Sequence, residues 1–180
     1  MYKRLWTRIG LTLNSIMIRC YALSRGSLIS LRATVYIHSG GHLEIGRGVS
    51  IAQNAVLQVL PGAILELKDG CKIGPGVVIY CASRVSIGSQ TRLAHYCSIL
   101  DHDYDIHAGE PWFEKPKISS PIIIGGNTLI ASYAVILKGV TIGDRCVIGA
   151  QTMVRKSVPH RMLAYCNSNS QLTLTNLIDG

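Results

Sequence analysis

The sequence predicts an all-β chain wound as a parallel β-solenoid, and two observations carry that prediction. One aliphatic position recurs every six or eight residues between Ile45 and Val154, and the residue after it is often Gly or Ala. The series runs Ile45, Ile51, Leu57, Leu65, Ile73, Ile79, Ile87, Leu93, Ile99, then breaks, then resumes at Ile124, Ile130, Ile136, Ile142, Ile148 and Val154. Two residues ahead of most of them stands a second apolar, small or β-branched residue, such as Val49, Cys71, Thr91, Cys97, Thr128 or Cys146. Residues two apart share one face of a strand, so each hexad reads as a short strand with an inward pair and a corner at the small residue. A chain of such units buries its inward residues only by stacking its turns.

Taken three per coil, the series gives about five coils around a triangular core. Where the spacing is eight (Leu57 to Leu65, Leu65 to Ile73, Ile79 to Ile87), the extra residues are expected at corners, which leaves the inward register intact. The gap from Ile99 to Ile124 marks a loop over 101–121 that projects from a corner. The solenoid domain is expected over 33–160, with 161–180 as a tail that carries no clear pattern. At 180 residues and without a Pro/Ser linker, the chain has room for one core.

The six cysteines show no metal-ligand spacing; Cys71, Cys97 and Cys146 fall on the small inward position, where a thiol packs as a small hydrophobe. Core thiols suit a reducing, cytoplasmic setting. Residues 1–32 differ in kind. They hold Lys3, Arg4, Arg8, Arg19, Arg25 and Arg32, no acidic residue precedes Glu44, and the net charge of the chain is +8. Leu5, Ile9, Leu13, Ile16, Cys20 and Leu23 lie near helical spacing, which predicts a basic amphipathic helix. Polar residues interrupt it too often for a bilayer span or a cleaved signal. It is expected to cap the first coil, and it can also touch anionic lipid or a lipid-linked substrate.

The hexads, with Pro121-Ile-Ile-Ile-Gly-Gly-Asn-Thr-Leu-Ile-Ala-Ser132, Ile136-Leu-Lys-Gly-Val-Thr-Ile-Gly-Asp144 and Val147-Ile-Gly-Ala150, resemble the hexapeptide-repeat acyltransferases. The chain is most similar to the galactoside and maltose O-acetyltransferases and the bacterial polysaccharide O-acetyltransferases. The resemblance implies a left-handed parallel β-helix, a handedness that general crossover rules would not give. It also implies a homotrimer, acetyl-CoA as donor and no metal cofactor.

Transfer of an acetyl group from a thioester to a hydroxyl needs a base for the hydroxyl proton, and imidazole is the side chain suited to neutral pH. In the family the catalytic His lies where the chain leaves the solenoid. His102 matches that place, within Ser98-Ile-Leu-Asp-His-Asp-Tyr-Asp-Ile-His107, and Asp103 or Asp101 would orient it. His107 is the rival base. The resemblance puts the pantetheine arm beside Ser132 and Ala150, and the CoA phosphates beside Arg155 and Lys156. Trp112 and Phe113 on the loop would stack on a sugar ring. Relatives usually carry Trp at the place of Leu129, and a Gly-Asn-Pro-Ala segment where this chain reads Leu163-Ala-Tyr-Cys-Asn-Ser-Asn-Ser170.

The expected function is acetyl-CoA-dependent O-acetylation of a sugar hydroxyl in capsule or lipopolysaccharide synthesis, in the cytoplasm or at the inner face of the membrane. N-acetylation of an amino-sugar nucleotide is the alternative, since it needs the same base and donor. A γ-class carbonic anhydrase-like zinc site would use His102 and His107 with a third His near Glu66 or Asp69, where the sequence has none. No nucleic-acid partner is expected.

Overall fold

The computed structural model describes residues 16–107, 109, 111, 114, 117–167 and 171–177. Residues 16–24 form helix α1. The first coil is β1 (Leu28–Ile29), β2 (Thr34–Ile37) and β3 (His42–Ile45); the second is β4 (Ser50–Ile51), β5 (Val56–Val59) and β6 (Ile64–Leu67). The third is β7 (Lys72–Ile73), β8 (Val78–Cys81) and β9 (Arg84–Ile87). The fourth holds β10 (Arg92–Leu93) and β11 (Ser98–Leu100), then the hairpin β12 (His102–Tyr104) and β13 (Lys117–Ser119), and closes with β14 (Ile122–Ile124). The fifth is β15 (Leu129–Ile130), β16 (Val135–Leu137) and β17 (Thr141–Ile142); the sixth is β18 (Val147–Ile148) and β19 (Met153–Val154). The chain ends in β20 (Met162–Cys166) and β21 (Leu172–Asn176).

Every third strand pairs in parallel with the one a coil away, giving three walls. The first wall is β1-β4-β7-β10-β15-β18, the second β2-β5-β8-β11-β16-β19 and the third β3-β6-β9-β14-β17. The recurring aliphatics fill the prism between them. Leu57, Ile79, Ile99 and Ile136 of the second wall are fully buried, and Ile87, Ile124 and Ile142 of the third are at most 1% exposed.

Three expectations are corrected. There are about six coils, because the solenoid begins at β1, inside the segment read as a separate basic region. The tail also joins the fold, since β20 extends the first wall in parallel beside β18 and β21 returns antiparallel. Finally, the extra residues of the eight-residue intervals are not at corners. They lengthen β5, β6 and β8 to four residues, so that Val59, Leu67 and Cys81 become further buried inward residues. Two added residues are one full pleat, which restores the same face. The second and third walls therefore narrow from four residues in the early coils to two or three in the later ones, while the strands of the first wall hold two residues from β1 to β18.

The small residue after each aliphatic one also has a different role from the one its position suggested. A Cβ on Gly125 would lie 2.5 Å from the carbonyl carbon of Gly143 in the next coil, so it is the stacking of corners that demands glycine there. The bend itself is made two residues later, at positive φ, by Asn127, Arg145 or Gln151. Inward Thr and Cys residues tie these corners together. Thr91 donates its hydroxyl to the Gly125 carbonyl (2.6 Å), Thr128 donates to Gly143 (3.1 Å), and the Cys146 thiol donates to Pro159 (2.9 Å).

Helix α1 lies against the first coil. Ala22 is fully buried, Ile18 packs on the core, and Arg19 donates to the carbonyls of Ser30 (3.2 Å) and Ala33 (3.0 Å). Gly26 ends the helix at φ 66°, with its N–H on the Leu23 carbonyl and the Ser27 N–H on that of Ala22. Leu5, Ile9 and Leu13, the first half of the expected helix, lie outside the described residues.

Candidate active site

The chain leaves the second wall after β11 and makes the antiparallel hairpin β12–β13, in which His102 faces Ser119 and Tyr104 faces Lys117. It re-enters at Ser120, whose N–H donates to the Asp101 carbonyl (2.8 Å), so both ends of the excursion are tied at one point. Asp101 is fully buried there. Its carboxylate accepts the N–H groups of Ala82 and Ser83, both at 2.7 Å, which form the corner one coil below. The next residue is His102, with Nδ1 3.3 Å from Asp101 Oδ1 and a side chain only 10% exposed. Its ring packs on Tyr80 with centroids 4.7 Å apart. Lys117 Nζ stands 3.4 Å from Nε2 and lies over the Tyr80 ring at 4.6 Å.

The carboxylate beside His102 is thus Asp101. Asp103, one residue along the strand, projects from the opposite face, is exposed, and lies 3.5 Å from Lys138 Nζ. Strand alternation sets Asp103 on the face opposite His102, whereas Asp101 lies before β12 at the corner itself, where the Ala82 and Ser83 N–H groups hold its carboxylate. His107 is exposed on the excursion, where its backbone N–H donates to Asp105.

The other residues expected from the sequence to line the site fall on the two edges of the second wall. Lys138 follows β16 and Arg155 and Lys156 follow β19, so they occupy the edge from which the excursion departs, one and two coils above it. At a strand spacing of about 4.8 Å, that puts the basic pair about 10 Å along the solenoid from the level of His102. Ser132 and Ala150 sit on the other edge, linked by the Gln151 N–H donating to the Ser132 carbonyl (2.9 Å). Arg155, Lys156 and Ser157 line a cleft of about 900 Å³ whose far side is Cys166, Leu172 and Leu174 of β20–β21. A smaller cleft near α1, of about 570 Å³, carries mixed charge from Arg25, Lys68, Glu44, Glu66 and Asp69. Burial pushes the thiols of Cys71 and Cys81 up to about 12, and Cys97 upward as well, which keeps them protonated and unreactive. Among the described residues, no three His, Cys, Asp or Glu side chains converge as metal ligands would. Trp112 and Phe113 lie outside the described residues.

Tyr80, Lys117 and Lys138 were not singled out from sequence. Tyr80 was reachable: it sits one coil period before Leu100, its partner in the wall, and so directly under the exit of the loop.

The fold and this edge define a hexapeptide-repeat protein with a histidine–carboxylate pair at the root of its excursion. Residues 121–156 match the bacterial transferase hexapeptide family (six repeats). Rv3034c of Mycobacterium tuberculosis, a probable acetyltransferase, is 32% identical over 80% of this chain. The chain spans about half of that protein (49%). WbbJ of Escherichia coli K12, named as an O-acetyl transferase of lipopolysaccharide biosynthesis, is 25% identical over 72% of this chain and 70% of its own length. Among solved structures, the N-acyltransferase AntD of Bacillus cereus, in complex with dTDP-4-amino-4,6-dideoxyglucose and coenzyme A, superposes with a TM-score of 0.71 at 17% identity, covering 84% of this chain and 80% of that one. Residues 121–156 thus carry the transferase hexapeptide repeat, and the solenoid has the left-handed parallel β-helix fold of the structures it resembles.

Proposed function

We propose that the protein is an acetyl-CoA-dependent O-acetyltransferase acting on a sugar hydroxyl in surface-polysaccharide synthesis. The observation that carries the reading is the pairing of His102 with a fully buried Asp101 at the edge that also bears Arg155 and Lys156. With Nδ1–H donated to Asp101, Nε2 holds the lone pair and takes the acceptor's proton as its oxygen attacks the thioester carbonyl. The tetrahedral intermediate collapses, the acetyl ester forms, and the CoA sulfur leaves with the proton returned by the imidazolium. Asp101 stabilises that imidazolium while it exists. The cationic pair holds the phosphates, and Ser132 and Ala150, on the far edge of the wall, line the pantetheine arm from a neighbouring subunit of the trimer proposed below. The names of WbbJ and Rv3034c support acetyl transfer and a polysaccharide acceptor.

The second wall is outwardly apolar in these coils, with Val135, Leu137 and Met153 half-buried or exposed and Tyr96 stacked on Tyr133 at its edge (centroids 5.2 Å). We assign that surface to a trimer, for which light scattering should give three times the chain mass; a stable monomer would count against it. Exposed Met17, Leu23, Leu28 and Leu31 beside Arg25 and Arg32 support peripheral contact with anionic lipid at the cytoplasmic face, checked by co-sedimentation with anionic vesicles. No helix among the described residues is long and apolar enough to cross a membrane.

The test is thiol release from acetyl-CoA against a panel of sugars and amino sugars. His102→Ala should lower turnover by about 10²–10⁴-fold, the usual share of a general base, while His107→Ala stays near wild type. Preference for the amino sugars would turn the reading to N-acetylation. Absence of thiol release with every acceptor on the panel would sink it.

A further inference from the structure

The cation against the base is unusual in its company. Lys117 comes back toward the solenoid on β13, half-buried, with Nζ 3.4 Å from His102 Nε2, 4.6 Å over the Tyr80 ring and 5.6 Å from that of Tyr104. Among the described residues no carboxylate lies within ion-pair distance of it. The anions nearby are already engaged: Asp101 by two backbone N–H groups and His102, Asp103 by Lys138. Two aromatic faces and an imidazole lone pair thus hold an ammonium at the nitrogen that the acceptor hydroxyl must reach. With no counter-ion among the described residues, this half-buried ammonium gains from an anion brought beside it. An ammonium left at Nε2 also competes with the hydroxyl for the lone pair.

One kind of acceptor answers both points. We propose that the acetyl acceptor is anionic, a sugar carrying a carboxylate or phosphate close to the hydroxyl that is acetylated, and that Lys117 is the group that binds this oxyanion. Pairing with the acceptor draws Nζ off Nε2 and frees the lone pair at the moment the hydroxyl is in place. The inference rests on the acetyltransferase reading above and narrows its substrate class.

The test compares matched acceptors with the full-length protein and acetyl-CoA: glucose against glucuronate, galactose against galacturonate, and glucose against UDP-glucose. Wild type should prefer the anionic member of at least one pair by about tenfold or more in kcat/KM; the uronate pairs read a carboxylate and the nucleotide pair a phosphate. Lys117→Gln should abolish that preference through KM for the anionic acceptor, raise rather than lower turnover of the neutral one because the competitor for Nε2 is gone, and leave KM for acetyl-CoA unchanged, and Lys117→Arg should retain most of the preference. Equal losses on neutral and anionic acceptors, or no anionic preference in wild type, would overturn the inference while leaving acetyl transfer intact. If no acceptor releases thiol, the transferase reading falls, and calorimetric binding of the same pairs to wild type and Lys117→Gln then decides the anion site alone. No difference in affinity rejects it.

Discussion

The solenoid is held by two kinds of corner, and only one of them adjoins the candidate site. At the regular corners a glycine lies under the next coil, a residue at positive φ turns the chain, and an inward hydroxyl or thiol donates to a backbone carbonyl, as Thr91 does to Gly125. Such a corner satisfies its own polar groups and presents nothing reactive. The corner at Ala82–Ser83 has neither glycine nor positive φ, and its two N–H groups rely on the Asp101 carboxylate from the coil above. Replacing backbone self-sufficiency with a buried carboxylate places an anion at the root of the excursion, and the next side chain is the imidazole that it orients.

Asp101→Asn is the sharpest way to break the second kind of corner. One oxygen acceptor is lost and an amide N–H₂ is set against a backbone N–H, at a cost on the order of 1–3 kcal/mol in stability. Turnover of the folded fraction should fall as well, because the imidazolium loses its partner. Urea unfolding with parallel kinetics checks both; full activity per folded molecule would show that Asp101 is only a structural brace. Gly125→Ala breaks the first kind. Its Cβ would meet the Gly143–Asp144 backbone at 2.5–2.6 Å, an overpacking that costs about 1–3 kcal/mol. Turnover per folded molecule should be unchanged. A rate loss as large as that of Asp101→Asn would erase the distinction between the corners.

The regular corners were legible in the sequence because each repeats the same inward pair and small residue, so the wall positions from Ile45 to Val154 all land inside. The first coil escaped the pattern: Ile29 and Ile37 sit at only partly buried positions next to α1, where the prism is open and the hexad is relaxed. His102 was legible as the histidine at the single break. Its partner was divided between Asp101 and Asp103, since both adjoin it in sequence, and the direction of a strand after a corner decides between them. Lys117 was not legible at all. It is fifteen residues further along the chain, and only the pairing of β12 with β13 brings it to Nε2.

Burial sets interior thiols of the solenoid apart from ordinary ones, at a regular corner and at the Asp101 corner alike. Burial raises Cys71 to about 12; Cys81 reaches about 12 through burial, with the negative charge of Asp101 adding to it. The native state therefore favours the protonated thiols more than the unfolded chain does. Their contribution to stability is fully present below the ordinary thiol range near pH 8.5 and is lost as pH rises toward 12, at no more than about 1.4 kcal/mol per pH unit for each thiol. Denaturant unfolding between pH 8 and about 11 should show the decline, and Cys71→Ala with Cys81→Ala should flatten it. Identical slopes in variant and wild type would show that these thiols do not carry the dependence.

The smallest effect is expected where the site edge runs out into solvent. Arg155 and Lys156 are exposed; Arg155 leans on Met153, its Nη2 3.0 Å from the sulfur, and neither is held by a carboxylate among the described residues. Contacts of such side chains with an anionic tail are screened, so each contributes on the order of 1 kcal/mol or less. Arg155→Ala with Lys156→Ala should raise KM for acetyl-CoA several-fold, more at low ionic strength than at high, with kcat and the acceptor KM unchanged. A donor phosphate bound at this edge predicts that salt dependence, because counter-charge in solution replaces what the side chains supplied. Equal changes in both KM values would move the donor away from the cleft beside β20–β21, and a loss of kcat would mean that the pair acts on the reacting end of the edge.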